Sequence, residues 1–451
     1  MNREKRRPGA GVNLPGLRGH NAALVLDLLR TAGAAGASRG ELASGTGLTP
    51  QAVSKIVARL RGDGLVAEAG RRASTGGKPQ TLLRLVPGAG YAVGVQLERD
   101  SLVAVLVDLA GVVVAERRAA LDFAAGVDAV VEAAAGAVTL LVGAPSAGVA
   151  AEAPGTGGSL WDGIRRAERL PTAGAEAAAV GRAPTAGAEA AAVGGAPAAG
   201  AEAAAVGVPS AGEAGAVGRV AAAIAGVLGV GVALPGPLDH ASGVLHRVTG
   251  FPEWDGYPLR DALVGRLGLP VAVDKDTNAA ALGLALGGAA ESFAYLHLGT
   301  GLGAGLVLGG GLYRGARTGA GEFGHQVLQL DGPPCECGDR GCVEALCLAA
   351  VARGDLDEAA RVLGTAAGNL VALLDIDLVL LGGRTVAAAE DLFVRGVGAV
   401  VAERARREGA RAAVGVAAAP GGERVVAEGA AQLVLAPLFG RASVAFPANR
   451  T

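Results

Sequence analysis

Two stretches of this 451-residue chain decide its fold: Gly321-Glu322-Phe323-Gly324-His325 and Cys335-Glu336-Cys337-Gly338-Asp339-Arg340-Gly341-Cys342-Val343-Glu344. One histidine, His325, and three cysteines, Cys335, Cys337 and Cys342, fall within eighteen residues. Thiolates together with an imidazole are the donor set of a tetrahedral zinc site. Two glutamates, Glu322 and Glu344, bracket the same cluster. The pattern therefore predicts a metal-stiffened platform for a polar ligand.

Composition narrows the class of protein. The net charge is −2, yet residues 1–80 carry thirteen Lys/Arg against five Asp/Glu, which favours a polyanionic partner for the N-terminus. We find no run of apolar residues long enough for a transmembrane helix and no signal peptide. All four cysteines lie between Cys335 and Cys347, which favours a reducing, cytoplasmic location.

The N-terminal region reads as a basic tail over residues 1–20, followed by a winged helix-turn-helix over 21–84. A helix is predicted over Asn21–Arg30. Ser38 and Glu41 form a capping box for a short second helix, and Thr49 caps a third that runs from Gln51 to Leu60. Two strands then flank a basic, glycine-rich segment over 70–79.

In a helix-turn-helix the second helix of the motif lies in the major groove, and its first residues meet the base edges. The wing adds contacts to phosphates or to the minor groove. The alternative is a protein-interaction module with a solvated basic face. The candidate DNA contacts are Thr49, Gln51, Ala52, Ser54, Lys55, Arg71, Arg72 and Lys78.

Strands and helices alternate through the rest of the chain, which predicts an α/β core. Two strands followed by a third are predicted over 91–122 and a helix over 127–142. Residues 143–217 are expected to be a disordered Ala/Gly/Pro insertion, because a 13-residue unit recurs from Pro171, Pro184 and Pro197. Later strands are predicted at 228–234, 271–273 and 378–381, with a hairpin over 292–307 and a helix over 355–374.

Outside the tail and the insertion, the chain resembles the ROK family of repressors, open reading frames and kinases. The resemblance rests on GVALPGPLDHASGVL (231–245), FPEWDGYPLRDAL (251–263), VAVDKDTNAAALG (271–283), GTGLGAGLVLGGGLYRG (299–315), GEFGH and CECGDRGCVE. It implies a two-lobed, actin-like ATPase (ribonuclease-H-like) domain, with lobe 1 at 85–142 and 218–272 and lobe 2 at 273–440. The winged helix resembles that of the sugar-responsive xylose and N-acetylglucosamine repressor branch.

The resemblance implies one structural zinc held by His325, Cys335, Cys337 and Cys342, with Cys347 left as a core residue. It implies sugar contacts from Glu322, His325, Glu344 and Asp276, the last being the catalytic base in the family's kinases. Asp276 can also be the N-cap of a helix over Ala279–Leu286. Two positions depart from the family: Lys275 and Gly250 replace asparagines. Lys275 is therefore a candidate contact to an anionic ligand, or it pairs with Asp274 or Asp276.

The choice between kinase and repressor depends on two glycine-rich turns. Family kinases open lobe 1 with DxGxT, whose glycine lets backbone amides approach phosphates. Here Gln96, Glu98 and Asp100 replace the aspartate, glycine and threonine. The second turn, Gly299–Gly303, is retained, and it is also explained as a tight hairpin. We expect a non-enzymatic, sugar-responsive repressor that binds operator DNA as a homodimer or larger assembly. The alternatives are an ATP-dependent sugar kinase and a ligand-independent regulator.

Overall fold

The computed structural model describes residues 14–72, 80–143, 226–246, 248, 251–409 and 414–441. The predicted basic tail lies mostly outside these ranges. The 13-residue repeats, Lys78 and Gly250 lie wholly outside them, so the predictions made for them stay predictions. Among the helices of the described ranges, none combines the length and hydropathy needed to span a bilayer.

The N-terminal region is a winged helix. Three helices pack with a small antiparallel sheet in the order β1-β3-β2, which confirms the predicted element order. Its elements are α1 (Leu14–Ala32), β1 (Ala37–Ser38), α2 (Arg39–Thr46), α3 (Pro50–Gly62), β2 (Val66–Arg72) and β3 (Gln80–Leu85). The first helix is longer than the predicted Asn21–Arg30, because its N-terminal part lacks the apolar periodicity on which that prediction depended.

Local capping fixes the ends of the two helices of the motif. Ser38 Oγ accepts from Glu41 N at 3.3 Å, and Glu41 Oε2 accepts from Ser38 N at 2.7 Å. This reciprocal pair satisfies two backbone N–H groups that helix geometry leaves without partners. Thr49 Oγ1 likewise accepts from Ala52 N, and Pro50 is the first helical residue. The capping predicted for both helices is confirmed.

Lobe 1 contains a five-stranded sheet in the order β10-β7-β4-β5-β6. β4 pairs antiparallel with β5 and parallel with β7. The third predicted strand and the helix after it are confirmed. The elements of this lobe are β4 (Tyr91–Leu97), β5 (Ser101–Asp108), β6 (Val113–Ala120), α4 (Val127–Gly143), β7 (Val227–Leu234), β8 (Leu238–Asp239), β9 (Val244–Leu245), α5 (Leu259–Leu267) and β10 (Val271–Lys275).

Lobe 2 repeats the same topology in the order β13-β12-β11-β14-β15. In each sheet the first strand in the chain is central, with two antiparallel strands on one side and two parallel strands on the other. The elements are α6 (Asp276–Leu286), β11 (Phe293–Leu298), β12 (Leu302–Leu308), β13 (Gly311–Tyr313), α7 (Val343–Ala352), α8 (Leu356–Leu374), β14 (Leu378–Gly382), α9 (Arg384–Ala388), α10 (Glu390–Arg407), β15 (Gly415–Ala418) and α11 (Val425–Leu435).

The last helix, α11, packs against both lobes. It contacts α6 of lobe 2 and also β4 and β7 of lobe 1. Glycine makes this approach possible: a Cβ on Gly94 would lie 1.9 Å from Ala427 O, and one on Gly429 would lie 2.0 Å from Ala279 O. Such distances are shorter than any van der Waals contact, so only glycine fits. A mixed α/β, two-lobed fold behind a winged helix confirms the predicted fold class.

Candidate functional site

The predicted metal ligands converge at one point. The ligand atoms of His325, Cys335, Cys337 and Cys342 all lie within 4.8 Å of one another. His325 Nδ1 is 3.7 Å from Cys335 Sγ, and the Sγ atoms of Cys337 and Cys342 are also 3.7 Å apart. A tetrahedral zinc with Zn–S bonds of about 2.3 Å requires sulfurs roughly 3.8 Å apart. The four residues therefore fit a closed, structural zinc site.

Backbone hydrogen bonds shape the loop that carries these ligands. Cys335 N donates to Asp339 O at 2.8 Å, and Val343 N donates to Gln326 O at 2.9 Å. Burial, followed by the neighbouring cysteines, raises the pKa of the Cys342 thiol to about 12. Without a cation the cluster thus disfavours thiolate, and a bound Zn²⁺ would supply the charge that thiolate ligands need. Cys347 is fully buried, donates to Ala359 O and is a core residue, as predicted.

The GEFGH segment lies against β12 through its first glycine. Gly321 has φ +89°, and a Cβ there would lie 1.9 Å from Ala304 O. Ala304 N donates to Gly321 O at 3.0 Å. Glu322 follows, and a short 3₁₀ helix over Phe323–His325 then directs the His325 ring to the metal site. A ring bound to metal through Nδ1 keeps Nε2 for a second partner.

Lys275 pairs with Glu322, and neither side-chain pairing predicted for it is correct. Its Nζ lies 2.5 Å from Glu322 Oε1 and 3.1 Å from Ala320 O. Only 5% of the Lys275 side chain is exposed, against 40% for Glu322. A nearly buried ammonium needs a countercharge, and Glu322 supplies it. Two predicted sugar contacts therefore lie together and partly neutralise each other.

Asp274 is unavailable to the Lys275 side chain because four donors already occupy its carboxylate. Arg314 Nε donates to Asp274 Oδ2 at 2.7 Å, and a second guanidinium nitrogen of Arg314 lies 2.7 Å from the same oxygen. Lys275 N and Asn278 Nδ2 donate to the other oxygen at 2.8 and 2.9 Å. This buried, fully satisfied ion pair fixes the loop after β13 to the end of β10. Neither Arg314 nor this role of Asp274 was predicted from the sequence.

Asp276 is the first residue of α6, and Lys275 is the N-cap, so the predicted N-cap position is wrong by one residue and the helix begins earlier than Ala279. The Asp276 carboxylate accepts from Thr277 N at 2.6 Å. Burial raises its pKa, although the charges of His297 and Lys275 act in the opposite direction. A half-buried carboxylate at the start of a helix, with a raised pKa, has the properties of a ligand contact or a base.

Glu344 lies in the first turn of α7, two residues after Cys342. Its Oε2 accepts from Leu302 N at 2.7 Å, so it supports the end of the Gly299–Gly301 turn of lobe 2. One carboxylate oxygen of Glu344 supports the turn. The other oxygen keeps Glu344 a candidate ligand contact. The cysteine loop (Cys335–Cys342) and the glycine turn are thus joined through one carboxylate.

The corresponding turn in lobe 1 carries a buried carboxylate instead. Glu98 Oε1 accepts from Gln96 Nε2 at 2.6 Å and lies 3.6 Å from His297 Nε2. That separation is too long for a hydrogen bond, so His297 acts on Glu98 by its charge. Burial alone would raise the pKa of Glu98, but His297 and Arg384 outweigh it and lower the value.

The ring of His297 extends this network into lobe 2. Burial favours its neutral form, yet the nearby carboxylates of Glu98 and Asp276 outweigh burial and raise its pKa. The Tyr295 hydroxyl lies 2.9 Å from His297 Nδ1. A cavity of about 400 Å³ opens beside these residues, between the lobes, and its lining includes Arg384 and Glu423. Neither His297 nor Arg384 was predicted from the sequence as a site residue, because neither lies in a recognisable motif.

The candidate DNA-binding face is partly engaged by local bonds. Gln51 and Lys55 are exposed on α3, together with Arg59, which was not predicted. Thr49 and Ser54 hydroxyls bond to the helix backbone, to Ala52 N and Pro50 O respectively. Val53, Val57 and Leu60 form the buried face.

The arginines of the wing differ in their surroundings. Both Arg71 and Arg72 are exposed at the end of β2. Arg72 donates to Glu41 Oε1 at 2.6 Å, so a contact to DNA would first have to break or share this pair. The Ser38 backbone, followed by Arg72, lowers the pKa of Glu41 to about 2, which keeps it ionised.

The winged helix touches the two-lobed region through α1. Arg30 lies over the Phe439 ring at 5.1 Å and donates to Leu286 O at 3.4 Å. Asp27 accepts from Arg441 at 2.7 Å. Leu286 is the last residue of α6, the helix that starts at Asp276. One helix therefore connects the candidate ligand site to the winged helix.

The described fold is α/β and two-lobed with duplicated sheet topology, and lobe 2 carries the His/Cys₃ cluster. Residues 214–350 match the ROK family. The chain therefore contains a ROK-family domain. The fold also matches a solved ROK family transcriptional regulator described as a homologue of the E. coli Mlc protein, with a TM-score of 0.61 at 18% identity over 94% of this chain and 97% of that one.

The proteins that are similar in sequence to part of this chain include both a regulator and a kinase. A xylose repressor of Caldicellulosiruptor bescii is 37% identical over 26% of this chain and 30% of its own length. A glucokinase of Thermotoga maritima is 41% identical over 29% of this chain and 42% of its own length. The aligned region thus covers less than half of each of these relatives.

Proposed function

We propose that this protein is a cytoplasmic, sugar-responsive transcriptional repressor of carbohydrate-metabolism genes that acts as a homodimer or larger assembly. The winged helix binds operator DNA through Gln51, Lys55 and their neighbours. A sugar or sugar derivative binds between the lobes at Asp276, Glu322, His325 and Glu344. A structural zinc stiffens that site.

The observation that carries the choice of repressor over kinase is Glu98. A phosphate-binding turn needs backbone N–H groups that a phosphate can approach, and it needs the absence of negative charge. Glu98 is largely buried and kept ionised, and it stands in the turn where the family's kinases have glycine. A fixed anion at that point repels the phosphates of a nucleotide.

Helix α6 supports the coupling between sugar and DNA. A ligand that draws on Asp276 acts on the first residue of α6, and Arg30 of the winged helix contacts the last. Packed helices move as rigid bodies, so a shift at one end is transmitted to the other. Replacing Arg30 by Ala should weaken the sugar dependence of operator binding while leaving sugar affinity within about twofold.

The direct test is operator binding, measured by fluorescence anisotropy on a DNA site selected from random sequence, across a panel of sugars. We expect at least one sugar to lower operator affinity and Glu322→Gln to abolish the response, with Asp391→Asn, whose side chain is 91% exposed, as control. Lys55→Ala should weaken DNA binding, with Arg395→Ala on α10 as a matched loss of an exposed cation. An unchanged affinity across the whole panel contradicts sugar sensing.

The second candidate is an ATP-dependent sugar kinase. The observation in its favour is Asp276, whose raised pKa and position suit a general base. An ATP-coupled phosphorylation assay separates the two functions. Turnover that is lost in Asp276→Asn would establish the kinase and overturn the repressor assignment as the sole function.

A third candidate is a ligand-independent regulator, and the Lys275–Glu322 pair is the observation in its favour. If this pair closes the site, Lys275→Asn should create sugar binding that the wild type lacks. If the site is already open, the same substitution changes which sugars bind, with a loss for anionic ligands. Isothermal titration of both proteins against sugars and sugar phosphates distinguishes these outcomes.

A further inference from the structure

Three consecutive residues of the turn between β4 and β5 contact lobe 2. Arg384 donates to both Asp100 oxygens, at 2.8 and 2.7 Å, and one of the same nitrogens lies 3.1 Å from Glu98 Oε2. Between them, Arg99 donates to Glu336 in the zinc loop at 3.1 Å. A turn of lobe 1 is therefore bound at two separate points of lobe 2.

Arg384 is well placed to hold that turn. It begins α9, directly after Gly383, whose backbone passes so close to Leu298 that a Cβ would lie 2.4 Å from Leu298 O. The start of α9, which carries Arg384, is thus fixed against the end of β11, the central strand of the lobe 2 sheet. Arg384 also lowers the pKa of Asp100, which keeps the partner ionised.

The strength of this contact comes from its geometry. A single exposed ion pair contributes little to stability, because solvent screens it and two side chains lose freedom. A guanidinium that binds one carboxylate with two parallel bonds and shares a second, largely buried carboxylate is stronger and more directional. Arginine binds phosphate groups in the same bidentate way, and here the carboxylates of Glu98 and Asp100 are its partners instead.

We propose that Glu98, Asp100 and Arg384 form an interlobe latch, which holds the two lobes together without a nucleotide. The latch would control the opening of the cleft in which the sugar would bind, so it deepens the proposed function. Its effect on sugar affinity rests on that function, whereas its effect on lobe separation does not. The turn where family resemblance implies phosphate binding thus makes a contact that does not need phosphate. Sugar affinity is consequently independent of MgATP.

The test begins with the ligand-free, full-length protein in small-angle scattering. Arg384→Asp places a third carboxylate against Glu98 and Asp100, and we expect a larger radius of gyration. Asp100→Arg combined with Arg384→Asp should restore the wild-type value. Arg361→Asp is the matched control, since Arg361 pairs bidentately with Glu358 inside one helix and spans no cleft. Identical scattering from Arg384→Asp and wild type overturns the latch.

The second readout is the sugar affinity from titration calorimetry. We expect a Kd about tenfold higher in Arg384→Asp, because fewer molecules hold the cleft closed, and no effect of MgATP in the wild type. If Arg384→Asp fails to fold, Arg384→Lys keeps the charge, loses the bidentate geometry and should show the same changes in reduced form. A wild type that binds no sugar refutes the proposed function, while the scattering experiment still decides on the latch.

Discussion

The two lobes have the same strand order, but the turns between their first two strands are built on opposite principles. In lobe 2, Gly299–Gly301 is a glycine turn whose exit is held by Glu344 through the Leu302 N–H. In lobe 1, Glu98–Asp100 has the same length and is held by side-chain charges. A duplicated scaffold thus carries a glycine turn in one lobe and an ion-paired contact between the lobes at the matching turn of the other.

The difference also shows where each lobe draws its rigidity. Lobe 2 is stiffened by the loop of the His/Cys₃ cluster, which reaches the turn through the Glu344 side chain, two residues after Cys342. Lobe 1 has no such loop among its described residues and is stiffened instead by α11, which packs on β4 and β7. The predictions below change one of these supports at a time.

The largest effect is expected from the metal site. Cys342→Ser, or chelation of the wild type, should lower the free energy of unfolding by about 5 kcal/mol, because the remaining thiols and the imidazole would no longer be held together by a cation. Amide exchange at Leu302 should accelerate, since Glu344 follows Cys342. Chemical unfolding measures the free energy, hydrogen–deuterium exchange measures the Leu302 amide, and elemental analysis measures the bound zinc. Cys347→Ala, at a buried cysteine outside the cluster, should keep its zinc; full stability of Cys342→Ser contradicts a structural metal.

Next comes the packing of α11 on lobe 1. Gly94→Ala places a methyl group 1.9 Å from Ala427 O, and backbone cannot yield as a flexible side chain can. The free energy of unfolding should fall by about 3 kcal/mol. Gly136→Ala on α4, where no atom lies within 4 Å of the added Cβ, should instead gain about 0.5–1 kcal/mol. Equal behaviour of the two variants in urea unfolding would show that α11 packs elsewhere.

A smaller effect is expected at the lobe 2 turn. Glu344→Ala leaves the partly buried Leu302 N–H without its acceptor, which should cost about 2 kcal/mol. Glu358→Ala, which breaks only an exposed pair within one helix, should cost less than about 0.5 kcal/mol. Thermal unfolding of the three proteins tests this. A loss no greater than that of the control would mean that the turn needs no support from the zinc loop.

The smallest expected effect is a pH dependence of the free energy of unfolding that arises from His297, next to Glu98 of the latch. The pKa of His297 is raised in the folded protein, so its protonation stabilises the fold below its unfolded value of about 6.5, and this contribution is lost as pH rises through the folded pKa. The stability difference between wild type and His297→Gln should therefore shrink from pH 6 to pH 9. The groups that face the ring are Glu98, Asp276, Arg384 and Tyr295. A constant difference would mean that His297 stays neutral throughout.

Much of the fold could be read from the sequence, because the signals are local. The capping box of Ser38, the Thr49-Pro50 helix start and the alternation of β4 and β5 depend on neighbours a few residues apart. The metal cluster was equally readable, since Cys335, Cys337 and Cys342 are spaced within one loop. Element ends were less certain: α6 begins at Asp276 because the strand before it runs on to Lys275, and that pairing is with β7, far away in the chain.

The sequence by itself determined the winged helix, the α/β alternation and the ligand set of the metal site, since each arises from short-range periodicity or spacing. By resemblance it also indicated that Glu98 stands at the position where the kinase phosphate turn has glycine. Only the tertiary structure decided what this turn contacts. Arg384 lies 284 residues from Asp100 along the chain, and Lys275 lies 47 from Glu322. A charged side chain chooses its partner by distance after folding, and no local pattern encodes that distance.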